Sequence, residues 1–172
     1  MKKASLCNRN ICKRGSCAER ERGQALIEFS FVIIFWVLLI VGIFEIILFM
    51  HTYNVLADSA KEGVRYAIVH GTNNAAPCGP VTCSDVTGPA APPGSIPGYG
   101  SGYGVVKTYA QYSLHSTSGM TVTVNYPGGS GTPANATPNL VQVVVSYPYQ
   151  PIFGLGWPTV MVNAAAEGRI MN

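Results

Sequence analysis

An α+β protein is what this sequence predicts: a long N-terminal helix whose first half spans a membrane, then a small domain with a short helix and a three-stranded antiparallel sheet. Three observations carry that expectation. Residues 29–44 hold no charged side chain, and after Glu45 the apolar character resumes through Met50. Tyr53, Leu56, Ala60, Val64 and Ala67 recur at three- and four-residue spacings, the period of an amphipathic helix. Three later segments show the alternation or the β-branched apolar run of strands.

The chain opens on a basic leader, residues 1–23. Lys2, Lys3, Arg9, Lys13, Arg14, Arg20 and Arg22 stand there against only Glu19 and Glu21, and such a cluster stays on the cytoplasmic side of a membrane. Residues 24–50 form the span. Glu28 and Glu45 are 17 positions apart, about 26 Å along a helix against roughly 30 Å of hydrocarbon. Each carboxylate can therefore lie near one face of the bilayer while the residues between them cross it. A removable secretory signal is the competing assignment, but His51, Thr52, Tyr53 and Asn54 offer no small-residue cleavage site and the leader is long for a signal. A retained anchor follows, with the N-terminus cytoplasmic and the C-terminal domain outside.

Residues 51–70 are the exported continuation of the helix, which is expected to run from about Ala25 to Val69. Its polar face pairs Asp58 with Lys61 and Glu62 with Arg65, neighbours worth about 0.2–0.5 kcal/mol per pair. Gly71, followed by Thr72, Asn73 and Asn74, supplies a stop. The small domain fills 71–172. Its first part, 71–104, is so crowded with Gly and Pro that no regular element is expected. No frame of its glycines satisfies G-x-G-x-x-G, so a phosphate cradle is set aside.

Val105–His115 carries Val106, Tyr109, Ala110 and Leu114 at helical spacing and predicts the short helix. Met120–Tyr126 alternates Met120, Val122, Val124 and Tyr126 against Thr121, Thr123 and Asn125. Leu140–Tyr147 is nearly all apolar and suits a central strand covered on both faces. Thr159–Ile170 alternates again through Val160, Val162, Ala164 and Ala166. Eight tyrosines follow position 60; they either pack the small core or make an adhesive surface in the loops.

Composition excludes several classes. With 48% hydrophobic and 11% charged residues the chain is too apolar for a disordered protein. Its formal +3 belongs to the leader: beyond Gly23 four basic residues face six acids, so the remainder is no general nucleic-acid binder. Cysteines divide the same way. Cys78 and Cys83, beyond the membrane run, suggest a disulfide across a short loop containing Gly79 and Pro80. Cys7, Cys12 and Cys17 in the leader lack the close spacing and fourth ligand of a zinc site. No metal or cofactor is called for. His51, His70 and His115 are isolated and no hydrolase motif occurs, so an enzyme is not expected. Asn135-Ala136-Thr137 matches a glycosylation sequon and is assigned no role.

The junction between leader and span reads RGQALIEF from Arg22 to Phe29. Together with LLIVGIFEI from Leu38 to Ile46 and AKEGVRYA from Ala60 to Ala67, it makes the chain resemble TadE-like proteins, pilin-like minor components of bacterial tight-adherence pilus systems. The late VQVVVSYPYQPIFGLGWP resembles their strand and proline-rich turn more weakly. By that resemblance the small domain is pilin-like, and a membrane aspartyl prepilin peptidase cuts between Gly23 and Gln24. The mature helix then packs with other pilin-like subunits of an inner-membrane assembly. Phe29 stands where many relatives have tyrosine.

Two roles stay open for Glu28. One turn from the amine that cleavage would create, it can neutralise its own α-amino group or a neighbour's; or it merely suits the positive end of the helix macrodipole. The desolvation cost of an acid beside an apolar run favours the assembly role, with Phe29 next to it. Glu45 either joins an interface or reaches the outer boundary of the membrane. The alternative function is a membrane-tethered adhesin or ligand-binding protein that keeps residues 1–23.

Overall fold

The computed structural model describes residues 12–74, 77–78, 83–98, 100–127, 134–153 and 158–171, excepting the side chains of 12–23. The chain divides into two compact units, Met1–Phe44 and Glu45–Asn172. One helix, α1 (Cys12–Val69), supplies the described part of the first unit and opens the second. It begins well before the expected Ala25. Ala18, Glu19, Arg20, Glu21 and Arg22 are mostly strong helix formers and no proline interrupts them, so the helix continues upstream of the apolar run. Within the first unit the apolar side chains of α1 point outward on all sides, Phe31, Phe35 and Trp36 among them. A helix that is hydrophobic all round seeks lipid or other helices rather than water.

The second unit contains two short helices, α2 (Ser84–Thr87) and α3 (Val105–Gln111), and three strands, β1 (Thr121–Asn125), β2 (Leu140–Tyr149) and β3 (Val160–Arg169). The strands form an antiparallel meander in the order β1-β2-β3. Val122 faces Val145 and Val124 faces Val143 across one ladder; Val145 faces Ala164 and Tyr149 faces Val160 across the other. Alternation along each strand puts Val122, Val124, Val141, Val143, Val145, Val162 and Ala164 on the buried face. The strands stand where the alternation predicts, and antiparallel, except that Val160, in phase with Val162 and Ala164, is 44% exposed at the start of β3.

The core lies between that face and the second half of α1. Val55, Leu56, Ser59, Ala60, Val64 and Ala67 are buried along the helix, each apolar side chain contributing on the order of 1–3 kcal/mol. Thr52 lies on this line, whereas Tyr53 does not and stays 43% exposed. The hydroxyls of Thr52 and Ser59 donate to the Leu48 and Leu56 carbonyl oxygens of the preceding turn, at 2.9 and 2.8 Å, so small polar residues occupy buried positions without an unmet donor. Closest approach comes at Gly63: a Cβ there would stand 2.5 Å from Val106 Cγ2 and 3.2 Å from Val143 Cγ1. Only a glycine lets α1 pass α3 and β2 at that distance.

Three expectations need correction. The segment 71–104 does contain a regular element, the single turn α2, whose Val86 is fully buried; four residues are too few to show a period. Residues 112–115 are not helical, because α3 ends at Gln111 with Tyr112 as its C-cap, and the amides of Ser113 and Leu114 both return to the Ala110 carbonyl oxygen. Leu114 still packs on the core from this turn, which explains why the apolar spacing outruns the helix. β2 is central, yet only one face is fully buried; Gln142, Val144 and Ser146 on the other are partly exposed, since α1, α2 and α3 gather on the opposite side around Gly63.

The proline-rich stretch is tied down through Ala91. Its amide donates to Thr108 Oγ1 at 2.9 Å and its carbonyl oxygen accepts from Gln111 Nε2 at 2.7 Å, both side chains on α3. Thr108 in turn donates to the Gly104 carbonyl oxygen at 2.7 Å. Backbone groups of a buried loop are thus satisfied by helix side chains in place of a ladder. The Asn135 side chain of the sequon is buried, which denies it to a modifying enzyme.

Candidate assembly site on the N-terminal helix

The residues singled out by sequence fall at three places. Gly23 and Gln24 lie within the continuous backbone of α1. Glu28 and Phe29 follow on the first unit, both exposed, and Ser30 beside them donates to the Leu26 carbonyl oxygen at 2.8 Å. Among the described residues the ion pairs are Asp58–Lys61 at 2.9 Å and Glu62–Arg65 at 3.4 Å; Glu28 belongs to neither. Its carboxylate and the apolar ring around it are open to another molecule.

Glu45 lies elsewhere and does something the sequence did not disclose. One carboxylate oxygen accepts the Tyr149 hydroxyl at 3.0 Å and the other accepts the Phe153 amide at 2.9 Å. Phe49, one turn further along α1, meets the Tyr149 ring edge-on at 5.5 Å between centroids. The end of β2 and the turn after it are thereby fastened to α1. Burial, and then the hydrogen bond and charge of Glu45, push the Tyr149 phenol from 10.0 up to about 12. Tyr149 stands 104 positions from Glu45; a lone tyrosine in a Pro-flanked strand end gives no signal for such a contact.

Cys78 and Cys83 are joined by a disulfide with Cα atoms 4.5 Å apart. Both are buried, and the Tyr126 hydroxyl donates to the Cys78 carbonyl oxygen, so the bridge is attached to the end of β1. Burial raises the Tyr126 phenol to about 12. The Gly79–Pro80 loop and Cys7 lie outside the described residues, as do the side chains of Cys12 and Cys17. Tyr66 on α1 donates to Asp85 of α2 at 2.9 Å and stacks on His70 at 3.9 Å. Among the described residues no group of three His, Cys, Asp or Glu side chains is placed to hold a metal ion.

Among the described residues, fold and site together define one N-terminal helix long and apolar enough to cross a membrane, followed by a small α+β domain built on the same helix. The family model described as TadE-like protein matches residues 23–65, in agreement with the resemblance carried by the RGQALIEF, LLIVGIFEI and AKEGVRYA segments. The similarity is confined to the N-terminal segment, from the leader junction to two residues past Gly63. No curated protein and no solved structure matches the chain.

Proposed function

We propose that the chain is a minor pilin-like subunit, a pseudopilin, that takes part in assembling a tight-adherence pilus of type IVb-like kind or a related secretion apparatus. It is a single-pass protein of the bacterial inner membrane, with the leader cytoplasmic and the small domain extracytoplasmic. A prepilin peptidase removes residues 1–23 by cutting between Gly23 and Gln24. Glu28 and Phe29 then lie at the start of the mature helix, where they meet neighbouring pilin-like subunits. Membrane lipid surrounds the helix until it is drawn into an assembly.

The observation that carries this proposal is the coincidence of the TadE-like match at 23–65 with the apolar helix, opening at the glycine that ends the basic leader. Two features support it. The apolar surface of α1 in the first unit is exposed on all sides, as a helix needs when its neighbours are lipids and other helices. The disulfide in the small domain suits an oxidising compartment outside the cytoplasm.

The test is partner recovery. Glu28→Gln keeps the shape and removes the charge, so insertion and the remote small domain should be unaffected. Crosslinking from membranes with equal amounts of cleaved wild type and variant should recover fewer pilin-like partners from the variant. Equal recovery would leave Glu28 as a helix-dipole residue only.

A further inference from the structure

We propose that the outer edge of β3 takes up an extended, acid-bearing segment of another protein as a further strand of the sheet. Whether the leader is removed does not bear on this edge. β3 pairs with β2 alone and ends the sheet order β1-β2-β3. Two backbone bonds fix which of its residues face the open side. The Ile170 amide donates to the Asn139 carbonyl oxygen at 3.0 Å, in register with the Leu140–Arg169 pair, whereas the Met171 amide turns the other way and donates to the Ile68 carbonyl oxygen at 3.0 Å. In an antiparallel ladder the backbone groups of successive residues point to alternate sides. Val162, Ala164, Ala166 and Gly168 therefore bond to β2, and Met161, Asn163, Ala165, Glu167 and Arg169 direct their N–H and C=O groups away from it. Among the described residues nothing bonds to those outward groups, and all of these residues are exposed.

Sheet edges are commonly closed by brevity, a proline, a lysine, a bulge or a covering element. β1 is 5 residues long and α2 packs against it. β3 is 10 residues long and holds neither proline nor lysine. Its register with β2 runs unbroken from Leu140–Arg169 to Tyr149–Val160, so no bulge turns it aside. A straight row of alternating donors and acceptors is complemented by another extended backbone, which makes the occupant a strand. Alternate residues of that strand fall beside Val162, Ala164 and Ala166 on the core side, where apolar side chains fit.

Charge narrows the occupant further. Arg169 has no ion-pair or hydrogen-bond partner among the described residues, while Glu167 already accepts from Gln142 Nε2 at 2.6 Å. The charge left unpartnered is positive, and a carboxylate directly across the strands answers it. A second copy of the chain does not. Full-length antiparallel self-pairing about Ala165 sets Arg169 against Met161. The register that sets Arg169 against Glu167 centres on Gly168 and needs the Met171 amide, which is already given to Ile68.

The experiment uses the full chain in detergent micelles. The probe is a fluorescent synthetic peptide alternating valine with threonine, N-methylated on alternate residues so that only one of its edges can pair. One glutamate near its N-terminus meets Arg169 when pairing is antiparallel. At saturation, residue-resolved amide exchange should slow about ten-fold or more at Asn163, Ala165 and Glu167 and stay unchanged at Val162, Ala164 and Ala166. Ala165→Pro removes an outward N–H and no ladder bond, and should weaken binding at least about ten-fold. Arg169→Glu, on the exposed side of the strand, should weaken it about three-fold, and lysine in place of the peptide's glutamate should restore it. Absence of saturable binding, equal slowing at both sets of amides, or unchanged binding by Arg169→Glu would overturn the proposal. Protection at Asn163 and Ala165 that rises with protein concentration and needs no peptide would identify a second copy as the occupant, and would equally overturn it.

Discussion

At Glu45 a single carboxylate fastens a strand end to a helix, and each of its oxygens has a separate donor. Glu45→Ala removes both acceptors and leaves the buried Tyr149 hydroxyl without a partner, so the small domain should lose about 1–3 kcal/mol of stability. Hydrogen exchange should accelerate first at the Phe153 amide; an unchanged rate there would contradict the fastening role. Tyr149 and Tyr126 also set a pH dependence. Both phenols are raised from 10.0 to about 12 in the folded protein, so between those values the unfolded chain releases protons that the folded chain retains. Their contribution is complete below pH 10 and is lost as pH rises towards 12. Denaturant midpoints should fall across that window, and Tyr149→Phe should make the fall shallower. Identical slopes in wild type and variant would refute the assignment.

The second half of α1 owes its place to small residues, and Gly63 is the most constrained of them. Gly63→Val sends a branched side chain into Val106 and Val143, an overpacking expected to cost about 1–3 kcal/mol. Chemical denaturation measures it, and Val106→Ala in the same chain should recover part of the loss. The Cys78–Cys83 bridge closes a short loop, so replacing both residues by Ser should cost about 2 kcal/mol, near the lower end for disulfides. That loss should appear in oxidised protein only; equal midpoints with and without reductant would contradict it.

How far these elements were legible follows from period and length. The strands were visible because Val122, Val124, Val143, Val145, Val162 and Ala164 keep a strict alternation. The helix line 56-60-64-67 was visible for the same reason, though its true edge is Thr52 and not Tyr53, since hydroxyl back-bonding makes a threonine acceptable in the core. A four-residue turn such as α2 leaves no period to detect. Leu114 misled because a turn can bury a side chain as well as a helix can. The Glu45–Tyr149 contact, made across 104 positions, has no local signature at all.

At the scale of the whole molecule, the proposed function has the chain inserted with its leader inside, trimmed, and passed to neighbouring subunits. The charge reversal at Gly23 was readable in full from sequence, because seven basic residues precede it and six of the eight acids follow it. Trimming at that boundary is the claim on which the rest depends. Gly23→Val should block it, since a branched side chain crowds the backbone approach a peptidase needs at the scissile bond. The most direct measurement is the intact mass and N-terminal sequence of the protein extracted from membranes of cells with an active prepilin peptidase. A mature chain that begins at Gln24, absent in the Gly23→Val variant, is the predicted result; assembled protein that still carries residues 1–23 would contradict it.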